Sequence, residues 1–500
     1  MSPLPPVPLP DCADELRAAF LAADYTATGV AELLGPVAER ALARGEPAAA
    51  RLLTEDAGDL GILIRLFLLA EPVAAVDAEK ALGGHGVSSG VLVAEERGVV
   101  RAALDLRPYG DGWWVASDLR APGGDELLDP ESVVGIGSAS VTLVTATPRP
   151  ASSSGTRDDP PTALDLGTGS GVQALHLAAA GAEVTATDTS ERALSMAELT
   201  AALSGVEFEL LDGDLFEPVA DRTFDQVVAN PPFVIGPNRF TYRDSALPAD
   251  GVTEAVVRGA AGHLTPGGIA TLLGSWLVTV DGDWQTRVLP WLPEGCDALV
   301  LLREQLDPAE HVALWLADGD ETGAASAPGG LAEQWLTDLA EQRAVGVAYG
   351  LVLLRRLPSS AVGEPVVSLL DLRDEPSTPE GARLLDWLDR VAAVRAVEDP
   401  RSLRLTRAPG LSLGRTYDAD DDGWQPTGAV LSAPGALPVR VTADEILVAI
   451  VKECEPELPL GAALDLVAAG TGNPHLAEDA MPAVLALVEA GLLVPVPDEG

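Results

Sequence analysis

The spacing of hydrophobic and polar positions changes twice along the chain. Through residues 11–82, apolar side chains recur every three or four positions. This predicts helices over Asp14–Ala23, Val30–Ala43 and Asp59–Leu69, with Thr28 as the N-cap of the second. From Val87 to Asp118 the period shortens to two, which predicts strands at Val91–Ala94, Val99–Leu106 and Trp113–Ala116. Val133–Thr147 reads as a further extended stretch, and the Pro-, Ser- and Asp-rich Pro148–Pro161 as a linker. From Thr162, short apolar runs alternate with helical segments. Strands are expected at Ala163–Leu166, Glu183–Ala186, Val206–Leu211, Phe224–Val228 and Ile269–Leu273. Helices are expected at Gly171–Ala180, Glu191–Leu203 and Thr253–His263. Such alternation predicts a doubly wound α/β sheet. Ala298–Leu302 and Val345–Leu354 would complete it, with Asp318–Gly330 as a surface insertion. After Pro358 the pattern gives a helix at Glu380–Ala393, a turn-rich region at Pro409–Ala436, helices at Asp444–Cys454 and Ala480–Ala490, and a final strand within Gly491–Val496. The expected organisation is a helical, winged-helix-like module (1–86), a small β-rich segment (87–150), an α/β domain (162–357) and a C-terminal α+β, winged-helix-like module (358–500).

Composition narrows the partners. The 500 residues carry 76 Asp and Glu against 32 Lys and Arg, a net charge of −44. The α/β segment does not escape this balance, because 11 arginines face 30 carboxylates in residues 151–360, a net −19. Proteins held to nucleic acid or anionic membranes by charge show a basic face; each third of this chain is net acidic, which argues against such a binder without excluding one small basic groove. Cys12, Cys296 and Cys454 are far apart and lack metal-ligand spacing, which reads as reduced thiols in a cytoplasmic protein. The Pro-rich start has neither a basic nor a long apolar segment, so no signal peptide is expected. No run reaches the ~18 apolar residues of a membrane span.

The chemistry begins at Asp165-Leu166-Gly167-Thr168-Gly169-Ser170-Gly171, where a strand turns into a helix through three glycines. A phosphate-binding P-loop would end in Gly-Lys-Ser/Thr, and there is no lysine here. A dinucleotide fingerprint would need glycine at Val172. The remaining pattern, Asp-x-Gly-x-Gly-x-Gly, resembles motif I of class I S-adenosylmethionine (SAM)-dependent methyltransferases. That resemblance implies a central Rossmann-like sheet and a loop of Asp165, Gly167, Thr168, Gly169 and Gly171 under the methionine part of the cofactor. It also implies that Asp188, at the tip of the second strand, accepts the ribose hydroxyls. Asp214 would meet the adenine amino group, and Leu215 or Phe216 would pack on its ring.

The fourth strand runs into Asn230-Pro231-Pro232-Phe233. A planar –NH2 conjugated to a carbonyl or ring has little free lone pair. The Asn230 side-chain oxygen can accept one of its N–H groups and the Pro231 carbonyl the other. The two prolines fix the backbone between these acceptors, and Phe233 offers a flat stacking face. The tetrapeptide resembles the catalytic motif of N-methyltransferases that act on planar amides and exocyclic amines. Tyr is usual at its fourth position in the HemK-like protein-glutamine methyltransferases. Phe is common there in the ribosomal-RNA guanine-N2 enzymes, where a His often follows instead of Val234. Downstream, Tyr242–Gly251 and His263–Gly268 look like the HemK-like layout. The resemblance therefore implies methyl transfer from SAM to a protein glutamine, for instance in a translation factor, with an RNA nucleobase (guanine N2 or adenine N6) as the alternative acceptor. The acidic balance favours the protein. A non-catalytic SAM-binding scaffold is the reading from a different class.

Other features point to structure. Arg239 and Arg243 read as surface residues paired with Asp244 or Asp250. Gly135–Ser140 reads as a bend. Asp418–Gly423 resembles half a calcium loop, but its twelfth position is Ala429 and Pro426 interrupts it. The five histidines are dispersed, so no metal site is expected. Tyr109, Trp113 and Trp114 read as module core.

Overall fold

The computed structural model describes residues 6–8, 10–110, 112–119, 131–151, 159–232, 234–236, 247–318, 330–375, 378–420 and 423–496. Phe233, Arg239, Arg243 and most of the 318–330 insertion lie outside them. Two compact units emerge, 1–144 with 150–292 and 305–350, and 145–149 with 293–304 and 351–500.

The first unit opens with helices Ala13–Ala22, Ala27–Ala43, Ala48–Thr54 and Gly58–Leu63. The N-cap of the second is Thr26, not Thr28. Thr26 has extended backbone angles, and its hydroxyl accepts from the Gly29 N–H at 2.9 Å. The same helix is interrupted at Gly35, whose φ of 64° precedes Pro36. Phe20, Tyr25, Phe67 and Trp114 form an aromatic core with ring centroids 5.4–6.0 Å apart. The Trp114 indole N–H donates to the Tyr25 carbonyl, and the Tyr25 hydroxyl to the Leu106 carbonyl, each at 2.8 Å. Trp114 sits in an antiparallel hairpin, Asp105–Tyr109 with Trp113–Ser117.

The stretch expected to be extended at 133–147 instead contains a helix, Ser138–Ala146. Val141, Thr142, Val144 and Thr145 give it strand-like composition. Its burial follows helical spacing, with Leu143 and Ala146 inside and Val141 and Thr145 outside. The Gln173 side chain donates to the Ser140 carbonyl at 2.9 Å, tying this helix down.

The large sheet has eight strands, labelled here β1 (Thr162–Leu166), β2 (Glu183–Asp188), β3 (Glu209–Asp212), β4 (Phe224–Ala229), β5 (Leu264–Thr279), β6 (Cys296–Leu306), β7 (Ala344–Arg356) and β8 (Val367–Asp371). Their order is β8-β6-β7-β5-β4-β1-β2-β3. Strands β1 to β5 pair in parallel, and their connections include helices α1 (Val172–Ala179), α2 (Glu191–Ser204) and α3 (Gly251–Ala260). This is the expected doubly wound arrangement, and β1, β4 and most of β5 are buried as such strands require. The chain winds outward from β1 through β2 to β3, then returns to β4 on the other side of β1. Open α/β sheets bind ligands at such a reversal, beyond the carboxyl ends of the strands.

In the second unit β6 and β8 pair in parallel. Asp297 of β6 is fully buried; it accepts from the Val366 N–H and pairs with Arg355 at 3.0 Å and with Arg395. Helices follow at Gly381–Arg395, Glu445–Glu453, Leu460–Thr471 and Leu476–Ala490. The region expected to be turn-rich is a long hairpin, Ser412–Asp420 with Gly423–Ser432, joined by Val441–Ala443. Its Gly, Asp and Pro content disfavours strands, but pairing along nearly its whole length, from Ser412 with Ser432 to Asp420 with Gly423, supports it. The final strand is Leu493–Pro495, antiparallel to Leu405–Arg407. Among the described residues, no helix is long and apolar enough to cross a membrane.

Candidate active site

The register of the parallel strands brings the two sequence motifs together. Leu166 of β1 lies beside Ala229 of β4 and Thr187 of β2, and Asp188 lies beside Asp212 of β3. The loop after β1, the tip of β2 and Asn230 therefore project from one edge of the sheet, on either side of the reversal.

The glycine loop is shaped by backbone conformation. Gly167, Gly169 and Gly171 have φ of 74°, 54° and 82°, angles that side-chain-bearing residues avoid. A Cβ on Gly167 or Gly169 would meet nothing within 4 Å, so these two positions border open space. At Gly171 a Cβ would come within 3.2 Å of Ala197, so this glycine also lets α2 approach. The Gly167 and Thr168 N–H groups both donate to the Thr187 carbonyl at 2.9 Å.

Two carboxylates organise the loop. Asp165 is 1% exposed; its Oδ2 accepts from the Thr168 hydroxyl at 2.7 Å and the Ala174 N–H at 3.0 Å. Its Oδ1 is buried with no partner among the described residues. Burial pushes the Asp165 carboxyl up to about 7, against the pull of these donors. Asp188 accepts from the Gly169 N–H at 2.9 Å and the Ser190 N–H at 3.0 Å. Burial raises its pKa as well, opposed by those amides.

Beyond β3, Gly213 must lack a side chain, since a Cβ there would lie 2.5 Å from Pro218. Leu215 is held at φ 46°, an uncommon conformation for a bulky residue, with a cost of about 1–3 kcal/mol. Asp214 is exposed. Phe216 stacks face to face on His263, centroids 4.5 Å apart, and lies against Gly259 of α3. Its ring is thus engaged with α3 and the turn after it, which makes Leu215 the better candidate of the pair for an adenine face.

On the other side of the reversal, Pro231 is buried and Asn230 half-buried. The Oδ1 of Asn230 is buried with no partner among the described residues. A buried amide oxygen left unpaired costs about 1–3 kcal/mol, so this acceptor is suited to a donor that arrives with a ligand. Asp250, proposed from sequence as a surface partner for Arg239 or Arg243, is buried instead. It accepts from the Leu277 N–H at 3.0 Å and pairs with Arg287 at 2.5 Å.

Two supports escaped the sequence reading. The Asp165–Thr168 bond was hidden because both residues sit inside one motif. His311 and Trp335, which reach the Ile235 carbonyl, are dispersed residues with no motif around them.

Residues 153–276 match the Methyltransferase small domain. Residues 22–103 and 385–495 match two further families, each described as a domain of unknown function (DUF7059 and DUF7782). Among curated relatives, the release factor glutamine methyltransferase of Deinococcus radiodurans is 42% identical over 156 residues, covering 27% of this chain and 55% of the relative. The ribosomal RNA small subunit methyltransferase C of Sodalis glossinidius is 37% identical over 106 residues, covering 21% of this chain and 27% of the relative. The chain thus spans about half the length, or less, of the relatives it matches. Among solved structures, the Thermus thermophilus 16S rRNA N2 G1207 methyltransferase in complex with AdoMet and guanosine aligns at 22% identity, covering 41% of this chain and 55% of that one. Its TM-score is 0.25, a superposition that says nothing about function.

Proposed function

We propose that this chain is a SAM-dependent N-methyltransferase, with residues 162–357 as its transferase domain and a protein glutamine side chain as its acceptor. The observation that carries the reading is the buried, unpaired Oδ1 of Asn230, set beside the glycine loop at the reversal of strand order. The residues present fit the cofactor. The open faces of Gly167 and Gly169 admit its methionine part close to the backbone, with Asp165 and Thr168 shaping the loop. Asp188 would offer its two oxygens to the ribose hydroxyls, and Leu215 and Asp214, beyond β3, are assigned to the adenine. When bound, SAM supplies an electrophilic methyl group on a sulfonium.

Asn230 accepts one N–H of the acceptor nitrogen through Oδ1, and the Pro231 carbonyl accepts the other. These two bonds favour a pyramidal nitrogen and orient its lone pair. Orientation and fixed dipoles then carry the rate, and no strong general base is required. The place of the spare Asn230 oxygen, at the strand end beside the glycine loop, favours a catalytic loop over a non-catalytic scaffold; being unpaired does not by itself distinguish it, since among the described residues the buried Trp276 and Trp387 indole N–H groups are unpaired as well.

The release factor relatives and the acidic composition favour a protein acceptor in the cytoplasm. A second reading, an exocyclic amine of ribosomal RNA, is favoured by the relatives of the Sodalis type and by Phe at position 233. Tritiated-methyl SAM offered to purified release factor and to deproteinised ribosomal RNA separates the two. Label in the release factor is expected, and label in RNA alone would overturn the preferred acceptor.

A further inference from the structure

We propose that His311 and Trp335 are positioning residues that set the geometry of the Asn230 loop through one backbone carbonyl. They lie on α4 (Pro308–Asp318) and α5 (Leu331–Glu341), which enter the chain between β6 and β7. The inference rests on the methyltransferase reading for its consequence and on hydrogen-bond geometry for its substance.

The carbonyl of Ile235 accepts from the Trp335 indole N–H at 2.7 Å and from His311 Nε2 at 2.7 Å. A carbonyl can only accept, so Nε2 carries the imidazole proton. Burial keeps the ring neutral by pushing its pKa down to about 4, so Nδ1 is an acceptor. Tyr349 therefore donates its hydroxyl proton to Nδ1 at 2.5 Å, and its oxygen accepts from the Trp315 indole N–H at 2.9 Å. Every donor in this chain points toward Ile235, an order in which each bond polarises the next. His311 is fully buried, and Trp335 is 4% exposed. Packing reinforces the grip: Val234 and Ile235 share a core with Val312, Leu316, Leu331, Trp335 and Leu339. A Cβ on Gly236 would fall 2.1 Å from the Trp335 indole, so the backbone itself lies against that ring.

Only five positions separate Ile235 from Asn230. At the near end, Ala229 is fixed in β4 between Leu166 and Leu272. At the far end, the two N–H groups hold the Ile235 carbonyl. Two prolines lie between and lock their φ angles. With Asn230 following directly on β4, the φ angles of Pro231 and Pro232 locked and the Ile235 carbonyl held by two donors, the clamp restricts where the amide acceptors stand.

Two readouts test this, one independent of activity. Hydrogen exchange is measured on a peptide spanning residues 228–236. The kcat and KM for transfer of tritiated methyl to release factor, and the Kd for SAM, are measured alongside. Trp335→Phe keeps a ring and removes the N–H; His311→Leu removes donor and acceptor. Both are expected to speed exchange of the segment and to lower kcat roughly ten- to hundred-fold, the scale of a small misplacement, with the SAM Kd within about twofold of wild type. His311→Gln, whose amide can donate to the same carbonyl, is expected to recover most of the loss. Leu464→Ala, a cavity in a separate core, controls for stability and is expected to leave kcat near wild type well below its Tm. Unchanged exchange in folded Trp335→Phe overturns the clamp. So does an unchanged kcat there, or an equal kcat loss in Leu464→Ala. If wild type methylates no acceptor while exchange responds as described, the methyltransferase reading falls and the clamp stands.

Discussion

The glycine loop after β1 and the Asn230 loop after β4 leave adjacent strands at the same sheet edge, yet they are held by different means. The first is self-contained: Asp165, Thr168, Ala174, Thr187 and Asp188 supply its bonds from within 24 positions of chain. The second depends on donors 76 and 100 residues away in sequence. A cofactor shared by many enzymes can be met by a portable local motif. An acceptor particular to one enzyme needs its loop aimed, and here the proposed clamp comes from helices outside the motif.

The comparison can be broken most sharply at Asn230. Asn230→Ala should lower kcat by on the order of 10²–10³-fold while SAM affinity, measured by calorimetry, stays near wild type. A matching loss of SAM affinity would mean the two loops are not separable. Next in size is the pH response of Asp165. Its carboxyl moves from 3.8 to about 7 on folding, so the fold favours the protonated form. That contribution is complete below pH 3.8 and is lost as pH rises through about 7. In cofactor-free protein, denaturation midpoints of wild type should fall relative to Asp165→Asn across this window, and parallel curves would remove the buried carboxyl from the account. Gly171→Ala, which adds a close contact with α2 to an unfavourable φ, should cost about 2–3 kcal/mol in denaturant unfolding. Gly167→Ala, facing open space, should cost about 1–2 kcal/mol from conformation alone. Equal costs would mean that α2 does not constrain the loop. Asp188→Ala should weaken SAM binding by about 1–3 kcal/mol and leave kcat at saturating SAM almost unchanged, the converse of Asn230→Ala.

The same contrast explains what the sequence could convey. The alternation from Thr162 onward marked β1 to β7 because buried strands of such a sheet are short apolar runs in any context, whereas β8 (Val367–Asp371), beyond the domain boundary expected at 357, was not among the expected strands. Asp188 and Asn230 were legible because a strand tip follows directly from the strand. The helix at Ser138–Ala146 was not, since its β-branched residues favour strands and tertiary contacts such as the Gln173–Ser140 bond to α1 decide otherwise. The 412–432 hairpin was obscured by residues that usually end strands, and its evidence is the cross-strand partner of each. His311 and Trp335 gave no signal at all. Their meaning is a convergence on one carbonyl, which no window of sequence contains.

The distance between the Asn230 loop and its holders also has a cost in time. The Ile235 carbonyl is made 76 residues before His311 and 100 residues before Trp335. At about 5–20 residues per second of synthesis, the tetrapeptide waits roughly 5–20 seconds before the last donor exists. The glycine loop has its local partners within a few seconds of being made. On the proposed reading, then, the nascent chain has the local partners of its methyl-donor loop well before it has the donors that aim the acceptor.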